Sequence, residues 1–316
     1  MLECEVAIVG GGPAGLTAAM YLSRAATNVK LFRTISPPSQ IIMTPLLENY
    51  PGISKVDGFG FIETMTGQAA KFGAEIVEKN VVKLQRQETR FVLTLEDDEI
   101  AASDAVIIAS GNRAKMLDIP GEREFVGHGV SYCATCDGAL FRGKDVVVTG
   151  GGDTAAEDGY FLSRLAKKVY LVHRRHKMRA NQTLADRFLT QKNVEAVWES
   201  TIVSINGGKL VESVTVKHVH TGMTREIKVN GVFVFVGGEP NTKMVKGLVD
   251  MDEDGYILTD ERMRTNVPGF FAAGDCRHKD WRQVITACAD GAEAAYSAQK
   301  FIETLHGRAY PGRSGS

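Results

Sequence analysis

The chain has 316 residues, of which 44% are apolar and 24% charged, and its formal net charge is −1. That length suits two domains of ordinary size, and the near-zero charge supplies no overall field for nucleic acid or an acidic membrane surface. No apolar run reaches the roughly 18 residues that span a bilayer, and the start Met1-Leu2-Glu3-Cys4-Glu5 lacks the basic flank of a signal peptide. A cytoplasmic protein that binds neither nucleic acid nor membrane is therefore expected.

In chain order, residues 6–9 read as a short buried strand that ends at Gly10-Gly11-Gly12. Apolar spacing from Pro13 to about Ser23 suits a helix, and residues 29–32 read as a second strand. A strand–turn–helix–strand unit requires a right-handed crossover and a parallel sheet. A helix is expected near 61–72, with short strands near 91–93 and 105–108. The same unit then returns, with a strand at 146–148, Gly150-Gly151-Gly152, a helix to about Ala166 and a strand at 169–172. Strand-rich stretches follow near 211–218 and 232–235. The last part is again strand–loop–helix, Gly269-Phe270-Phe271-Ala272-Ala273-Gly274-Asp275 and then a helix from about Val284 to Leu305. The class is α/β with two Rossmann-like dinucleotide-binding domains. A chain that leaves its first domain and comes back crosses twice, near 111–120 and 240–245, where Gly, Pro and polar residues cluster.

Gly10-x-Gly12-x-x-Gly15, with Pro13 and Ala14 inside it, follows a strand and opens a helix, the context that gives this pattern meaning. The first glycine makes the tight turn, the second admits a pyrophosphate to the backbone, and the third lets helix and strand pack closely. The acid that normally holds a ribose hydroxyl about twenty residues on is missing, because the second strand ends Phe32-Arg33-Thr34. The second cradle is Gly150-x-Gly152-x-x-Ala155, with Asp153 and Thr154 at the helix start. Its strand end carries His173-Arg174-Arg175-His176-Lys177-Met178-Arg179. Guanidinium forks bind a 2′-phosphate that a carboxylate would repel, so NADPH is expected there rather than NADH.

Between the cradles stands Ser131-Tyr132-Cys133-Ala134-Thr135-Cys136-Asp137-Gly138. Two thiols three apart can close a small ring, and exposed N–H groups at a helix start stabilise the first thiolate. A closed zinc site needs four ligands. No second pair exists, and Cys4, Cys276 and Cys288 are scattered in apolar contexts, so a redox pair is expected and no metal. Asp137 could deliver protons to departing thiolates or could cap a helix; its residue chemistry leaves both open.

These residues resemble the low-molecular-weight thioredoxin reductases. The likeness runs from Gly10 to about Ile302 and rests on Cys133-Ala134-Thr135-Cys136-Asp137, on the second cradle with His173-Arg174-Arg175, on Gly274-Asp275 and on Arg282-Gln283. It implies an FAD domain made of residues 1–115 and 244–316, with an NADPH domain, 116–243, inserted between them. Gly10, Gly12 and Gly15 would hold the FAD pyrophosphate and Asp275 a flavin-side hydroxyl, while Gln40, Asn49, Arg282 and Gln283 match positions close to the flavin. By the same likeness Cys136 is the thiol nearest the flavin, Cys133 attacks the partner and Asp137 is the acid/base. The partner is thioredoxin or a similar protein, and the enzyme is a homodimer. Two departures are Pro37-Pro38-Ser39, where two glycines are usual before the glutamine, and Ser110 in place of a threonine. Hydride transfer and disulfide reduction both need near contact with the flavin, so the central domain is expected to swing on its linkers. A same-type reductase of another acceptor and a non-catalytic nucleotide-binding redox sensor are the competing readings.

Overall fold

The computed structural model describes residues 1–34, 41, 42, 44 and 46–308. Gln40 and the Pro37-Pro38-Ser39 departure lie outside the described residues. Met1–Arg113 and Glu239–Ser316 form one compact unit, and Ala114–Gly238 forms a second.

The first unit opens with β1 (Leu2–Val9), α1 (Pro13–Arg24), β2 (Val29–Phe32), α2 (Gly58–Lys71), β3 (Glu75–Val77), β4 (Val81–Gln87), β5 (Arg90–Leu95) and β6 (Ile100–Ile108). Its sheet runs β3-β2-β1-β6-β5-β4. β1 is parallel to β2 and β6, whereas β4, β5 and β6 are joined antiparallel. Side chains alternate across β1. Val6 and Ile8 join Leu16, Leu22 and Phe61 of the helices on one face, while Ala7 and Val9 join Leu84, Phe91 and Leu93 on the other. The period of two is what lets one strand feed two cores.

The strand β7 (Asn112–Ala114) leads out of this unit. The second unit contains β8 (Val130–Ser131), α3 (Ala134–Asp137), β9 (Asp145–Gly150), α4 (Asp153–Ser163), β10 (Lys168–Val172), α5 (Gln182–Leu189), β11 (Val194–Val197), β12 (Ser200–Gly207), β13 (Val211–His218), β14 (Thr224–Lys228) and β15 (Gly231–Phe235). β11-β10-β9-β15-β8 is an all-parallel sheet, and β12-β13-β14 is a separate antiparallel one. Val146, Val148, Phe233 and Phe235 pack with α4 and α5 on one side. Val147, Val232 and Val234 pack with Ile202, Val214 and Ile227 of the antiparallel sheet on the other. Each face of the parallel sheet is thereby covered, as parallel sheets require.

The chain returns through β16 (Gly238–Pro240), which pairs with β7 as a two-stranded sheet. Beside it, Ser110 Oγ donates to the Asn241 carbonyl at 2.7 Å, and Asn241 Nδ2 donates to the Ser110 carbonyl at 3.0 Å. The serine therefore ties the two crossing segments together. β17 (Phe270–Ala272) then lies parallel to β6, and α6 (Val284–Leu305) ends the described fold.

One packing detail gives a test of unit two. Gly159, inside α4, faces the fully buried ring of Phe188, and a Cβ there would stand 2.5 Å from Phe188 Cζ. Gly159→Ala gains about 1 kcal/mol of helix propensity and loses about 1–3 kcal/mol to overpacking. Because the ring is buried on all sides, the loss wins, and urea unfolding is expected to show a net destabilisation of up to about 2 kcal/mol. A stabilised variant would contradict this.

Candidate active site

At the first cradle, Gly10 has φ +119, and a Cβ there would press on Ala109, its carbonyl carbon 2.6 Å away. Gly15 packs against the Gly10 carbonyl. Gly12 differs, since a Cβ there would meet nothing within 4 Å. It is the N-cap of α1, with Pro13 at the first position, no side-chain cap and no acid in the first turn. The helix start thus presents uncapped N–H groups toward open space, an arrangement that fits a pyrophosphate.

Close packing of α6 on α1 brings the far end of the chain to this cradle. A Cβ on Gly274 would be 2.9 Å from Ala14 Cβ, and one on Gly291 would be 2.9 Å from the Ala14 carbonyl carbon. Asp275 consequently lies beside the start of α1. Its Oδ1 is buried with no hydrogen-bond partner among the described residues. Burial raises its pKa, against the pull of Lys279 and Arg282. A buried acceptor without a donor fits a cofactor hydroxyl. Arg282 Nε donates to the Asp275 carbonyl at 3.4 Å, and its guanidinium lies 4.1 Å over the Tyr256 ring. Asn49 Nδ2 donates to Gln283 Oε1 at 3.1 Å, so Asn49 and Gln283 also meet.

Sequence reasoning missed Asp290. Its carboxylate accepts from the Gly274 N–H at 3.0 Å, from Arg277 Nε at 2.9 Å and Nη2 at 3.0 Å, and from Lys279 Nζ at 2.9 Å. Burial works against the charge, but Arg277 and Lys279 hold the carboxyl below the usual range. Asp290 thereby fixes the turn that aims Asp275, and nothing local in the sequence announces it. Arg33, which stands where a ribose-binding acid is usual, lies over Gly11. It donates to Thr66 Oγ1 at 3.1 Å and to Glu78 Oε1 at 3.0 Å.

The second cradle repeats the first. Gly150, at φ +151, sits against the Phe235 backbone, Ala155 is fully buried, and a Cβ on Gly152 would meet nothing within 4 Å. Asp153 turns aside, its Oδ1 accepting from the Asn181 N–H at 2.7 Å. Thr154 is exposed in the first turn of α4. His173 is buried behind Gly151, and burial lowers its pKa. It supports the cradle as a ring packed against Gly151, with Arg174 and Arg175 close enough to disfavour its charged form further. Arg174, Arg175 and Arg179 are exposed, and none carries an ion pair among the described residues. Met178 is buried, and the N–H groups of Arg179 and Ala180 donate to the Gly151 carbonyl at 2.6 and 3.0 Å. The basic loop is thereby held to the cradle.

On this same unit Cys133 and Cys136 are disulfide-bonded, with Cα atoms 5.3 Å apart. Cys133 is the N-cap of α3, and the Cys136 N–H donates to its Sγ at 3.2 Å. After reduction that N–H favours the thiolate on Cys133. Ser131, fully in the strand before the turn, was not foreseen. Its Oγ accepts from the Cys133 N–H at 3.1 Å and donates to Asp137 Oδ2 at 2.6 Å. Burial raises the Asp137 pKa, partly offset by Ser131. Asp137 is therefore a well-held carboxyl that keeps a proton more readily than a surface aspartate. Cys4, Cys276 and Cys288 are buried free thiols, raised by burial, and among the described residues no cluster could hold a metal ion.

A second carboxyl, Asp158 of α4, is pushed up to about 6, first by burial and then by Glu157. The folded unit holds these protons more tightly than the unfolded chain. Ionising Asp158 therefore costs stability as the pH rises from its ordinary 3.8 to about 6, and the full cost is present above that window. Relative to the parent, Asp158→Asn is expected to gain about 1–2 kcal/mol between pH 4 and pH 7, a figure reduced for partial exposure. Thermal unfolding of both proteins across that range checks it, and a pH-independent difference would contradict it.

Two uncapped glycine cradles and a disulfide at a helix start define a two-nucleotide disulfide oxidoreductase. The pyridine nucleotide-disulphide oxidoreductase model matches residues 4–291. The thioredoxin reductase of Treponema pallidum is 43% identical over 304 residues, 96% of this chain and 98% of that protein. That of Bacillus subtilis is 43% identical over 303 residues, 95% of each. The crystal structure of thioredoxin reductase from Streptococcus pyogenes superposes with a TM-score of 0.91 at 39% identity, covering 96% of this chain and 99% of that one. The chain belongs to the pyridine nucleotide-disulphide oxidoreductase family, among the thioredoxin reductases.

Proposed function

We propose that the protein is an NADPH-dependent thioredoxin-disulfide reductase with FAD as its bound cofactor. The observation that carries this is the Cys133–Cys136 disulfide at the start of α3, on the unit whose second cradle is flanked by Arg174, Arg175 and Arg179. The thioredoxin reductases to which the chain is 42–43% identical over nearly its full length support the choice of thioredoxin. In this reading FAD binds the Met1–Arg113 and Glu239–Ser316 unit, against Gly10, Gly12, Gly15, Asn49, Asp275, Arg282 and Gln283. NADPH binds the Ala114–Gly238 unit. Bound in the first unit, FAD would supply the two-electron chemistry that links the nicotinamide to the disulfide.

The chain's own residues then do the following. Cys136 collects electrons, and Cys133, whose thiolate the Cys136 N–H favours, attacks the partner disulfide, expelling one partner sulfur as a thiolate and forming a mixed disulfide. The Cys136 thiolate then attacks Cys133, releasing the second partner thiol and closing the internal disulfide again. Asp137, oriented by Ser131, exchanges protons with the sulfurs. The central unit moves on the paired crossings between these tasks.

A homodimer belongs to the same reading, supported by large exposed apolar side chains on helices of the first unit, Tyr21, Phe59 and Tyr296. So does cytoplasmic residence, supported by three unpaired thiols; among the described residues no helix is long and apolar enough to cross a membrane. Turnover of NADPH with purified thioredoxin, glutaredoxin-like protein and peroxidase component is the test. Thioredoxin should be reduced at least about tenfold more efficiently than either, and turnover only with another acceptor would overturn the assignment.

A further inference from the structure

The redox turn hangs from a very short strand. β8 is two residues at the edge of the parallel sheet, and it meets β15 through two pairs, Val130 with Val232 and Ser131 with Phe233. So short a ladder specifies register weakly. The next residue, Tyr132, points to the opposite face from Ser131 and packs with the core of Ile202, Val214 and Ile227. Its phenol donates to Glu122 Oε1 at 3.0 Å. Glu122 is fully buried, and the same carboxylate accepts from the Leu117 N–H at 2.9 Å and the Asp118 N–H at 2.7 Å. Its chain neighbour Arg123 pairs with Asp118 instead, so among the described residues three hydrogen bonds, and no ion pair, hold this carboxylate. The turn that carries Glu122 is itself fixed. The Ile205 N–H of β12 donates to the Pro120 carbonyl at 3.0 Å, and a Cβ on Gly121, at φ +82, would stand 2.9 Å from the Ile205 carbonyl carbon.

We infer that Glu122 and Tyr132 are positioning residues of the redox turn: the buried carboxylate grips the phenol and so sets where Ser131 meets Cys133 and Asp137. The inference rests on the redox reading of the cysteine pair. Ser131 Oγ accepts from the Cys133 N–H at 3.1 Å and donates to Asp137 Oδ2 at 2.6 Å, so any slide of β8 moves both bonds together. A slip of one residue would bring Tyr132 to the face where Ser131 stands. Burying a carboxylate is costly unless its partners are in place. Here the partners are the segment by which the chain enters this unit, Leu117 and Asp118, and the residue beside Cys133. The phenol stays a neutral donor, since burial and then the Glu122 charge both raise its pKa. At Asp137 the influences on the carboxyl are burial, which raises its pKa, and Ser131, which lowers it. The titration of Asp137 thus reports whether Ser131 is in place. α4 packs on this turn, a Cβ on Gly138 lying 3.1 Å from both Phe161 and Leu162, and adds Glu157 and Asp158 to the carboxyls of the region.

Tyr132→Phe removes one hydroxyl and keeps the packed ring. In full-length oxidised holoprotein with isotope-labelled aspartate, the carboxyl carbon resonance of Asp137 is assigned by its loss in Asp137→Asn and followed with pH. Tyr132→Phe should raise its midpoint by about half a pH unit, the size of one lost hydrogen bond. In a Ser131→Ala background it should add nothing, because Tyr132 acts through Ser131. An unchanged midpoint in Tyr132→Phe, or an equal further shift in the Ser131→Ala background, would overturn the positioning role. Hydrogen exchange at the Cys133 amide should quicken at least about fivefold in Tyr132→Phe, and unchanged protection there would overturn the role as well. Glu122→Gln sets an NH2 group against a backbone N–H in either orientation of the amide. It should shift Asp137 in the same direction, and no shift would remove Glu122 from the role. None of these readouts uses NADPH or thioredoxin turnover, so a failure here is distinct from a failure of the redox reading.

Discussion

Cys136→Ser should leave the bleaching of bound flavin by NADPH within about twofold of the parent while cutting thioredoxin reduction by about a thousandfold or more, because removing one member of a unit disables the unit. The first half follows because hydride transfer needs the two cradles and not the sulfurs. The second follows because Cys133 alone cannot form the internal disulfide that accepts the electron pair, and without the Cys136 thiolate nothing in the chain breaks the mixed disulfide. Cys133→Ser should abolish turnover equally while leaving Cys136 as the remaining thiol. Rapid-mixing absorbance at the flavin band and a coupled thioredoxin assay read the two halves separately. Loss of both activities in Cys136→Ser would remove the role given to that sulfur.

Replacing Arg174 and Arg175 together by Gln should lower kcat/KM for NADPH by roughly 30- to 1000-fold and leave that for NADH within about threefold. Each charge-assisted bond to a phosphate is worth about 1.5–3 kcal/mol. Both guanidinium groups are exposed, so the joint effect is reduced to about 2–4 kcal/mol, which gives the stated range. NADH lacks the 2′-phosphate and so loses little. The buried His173 predicts a different outcome, since it packs behind Gly151. His173→Ala should weaken both nucleotides together by loosening the cradle. An unchanged ratio in the double arginine variant would place phosphate recognition on other side chains.

Long periodic elements and glycine turns were legible from the sequence. The expected last helix from about Val284 to Leu305 is α6, Val284–Leu305, and the expected first helix is α1. Both are set by local periodicity and by breakers at their ends. β4 and α5 were not foreseen. β4 has only Val81 and Leu84 buried, and α5 is eight residues that close against α4 only in the folded unit. The antiparallel partners of the 211–218 strand were also illegible, because pairing across β12 and β14 depends on long-range register.

At the site the difference is similar. Cys133, Cys136 and the glycines announce themselves by spacing. Ser131 and Asp290 do not, because each acts through a bond to a residue that only folding brings near. Arg33 was legible as a departure, but its ties to Thr66 and Glu78 were not.

Anaerobic titration of the purified protein with NADPH tests the electron route most directly. Flavin and disulfide together hold four electrons, so full reduction should require about two equivalents per chain and should leave Cys133 and Cys136 both open to alkylation. Addition of oxidised thioredoxin should then restore the yellow colour. An endpoint at about one equivalent with the Cys pair still closed, or a flavin that NADPH does not bleach, would contradict the route.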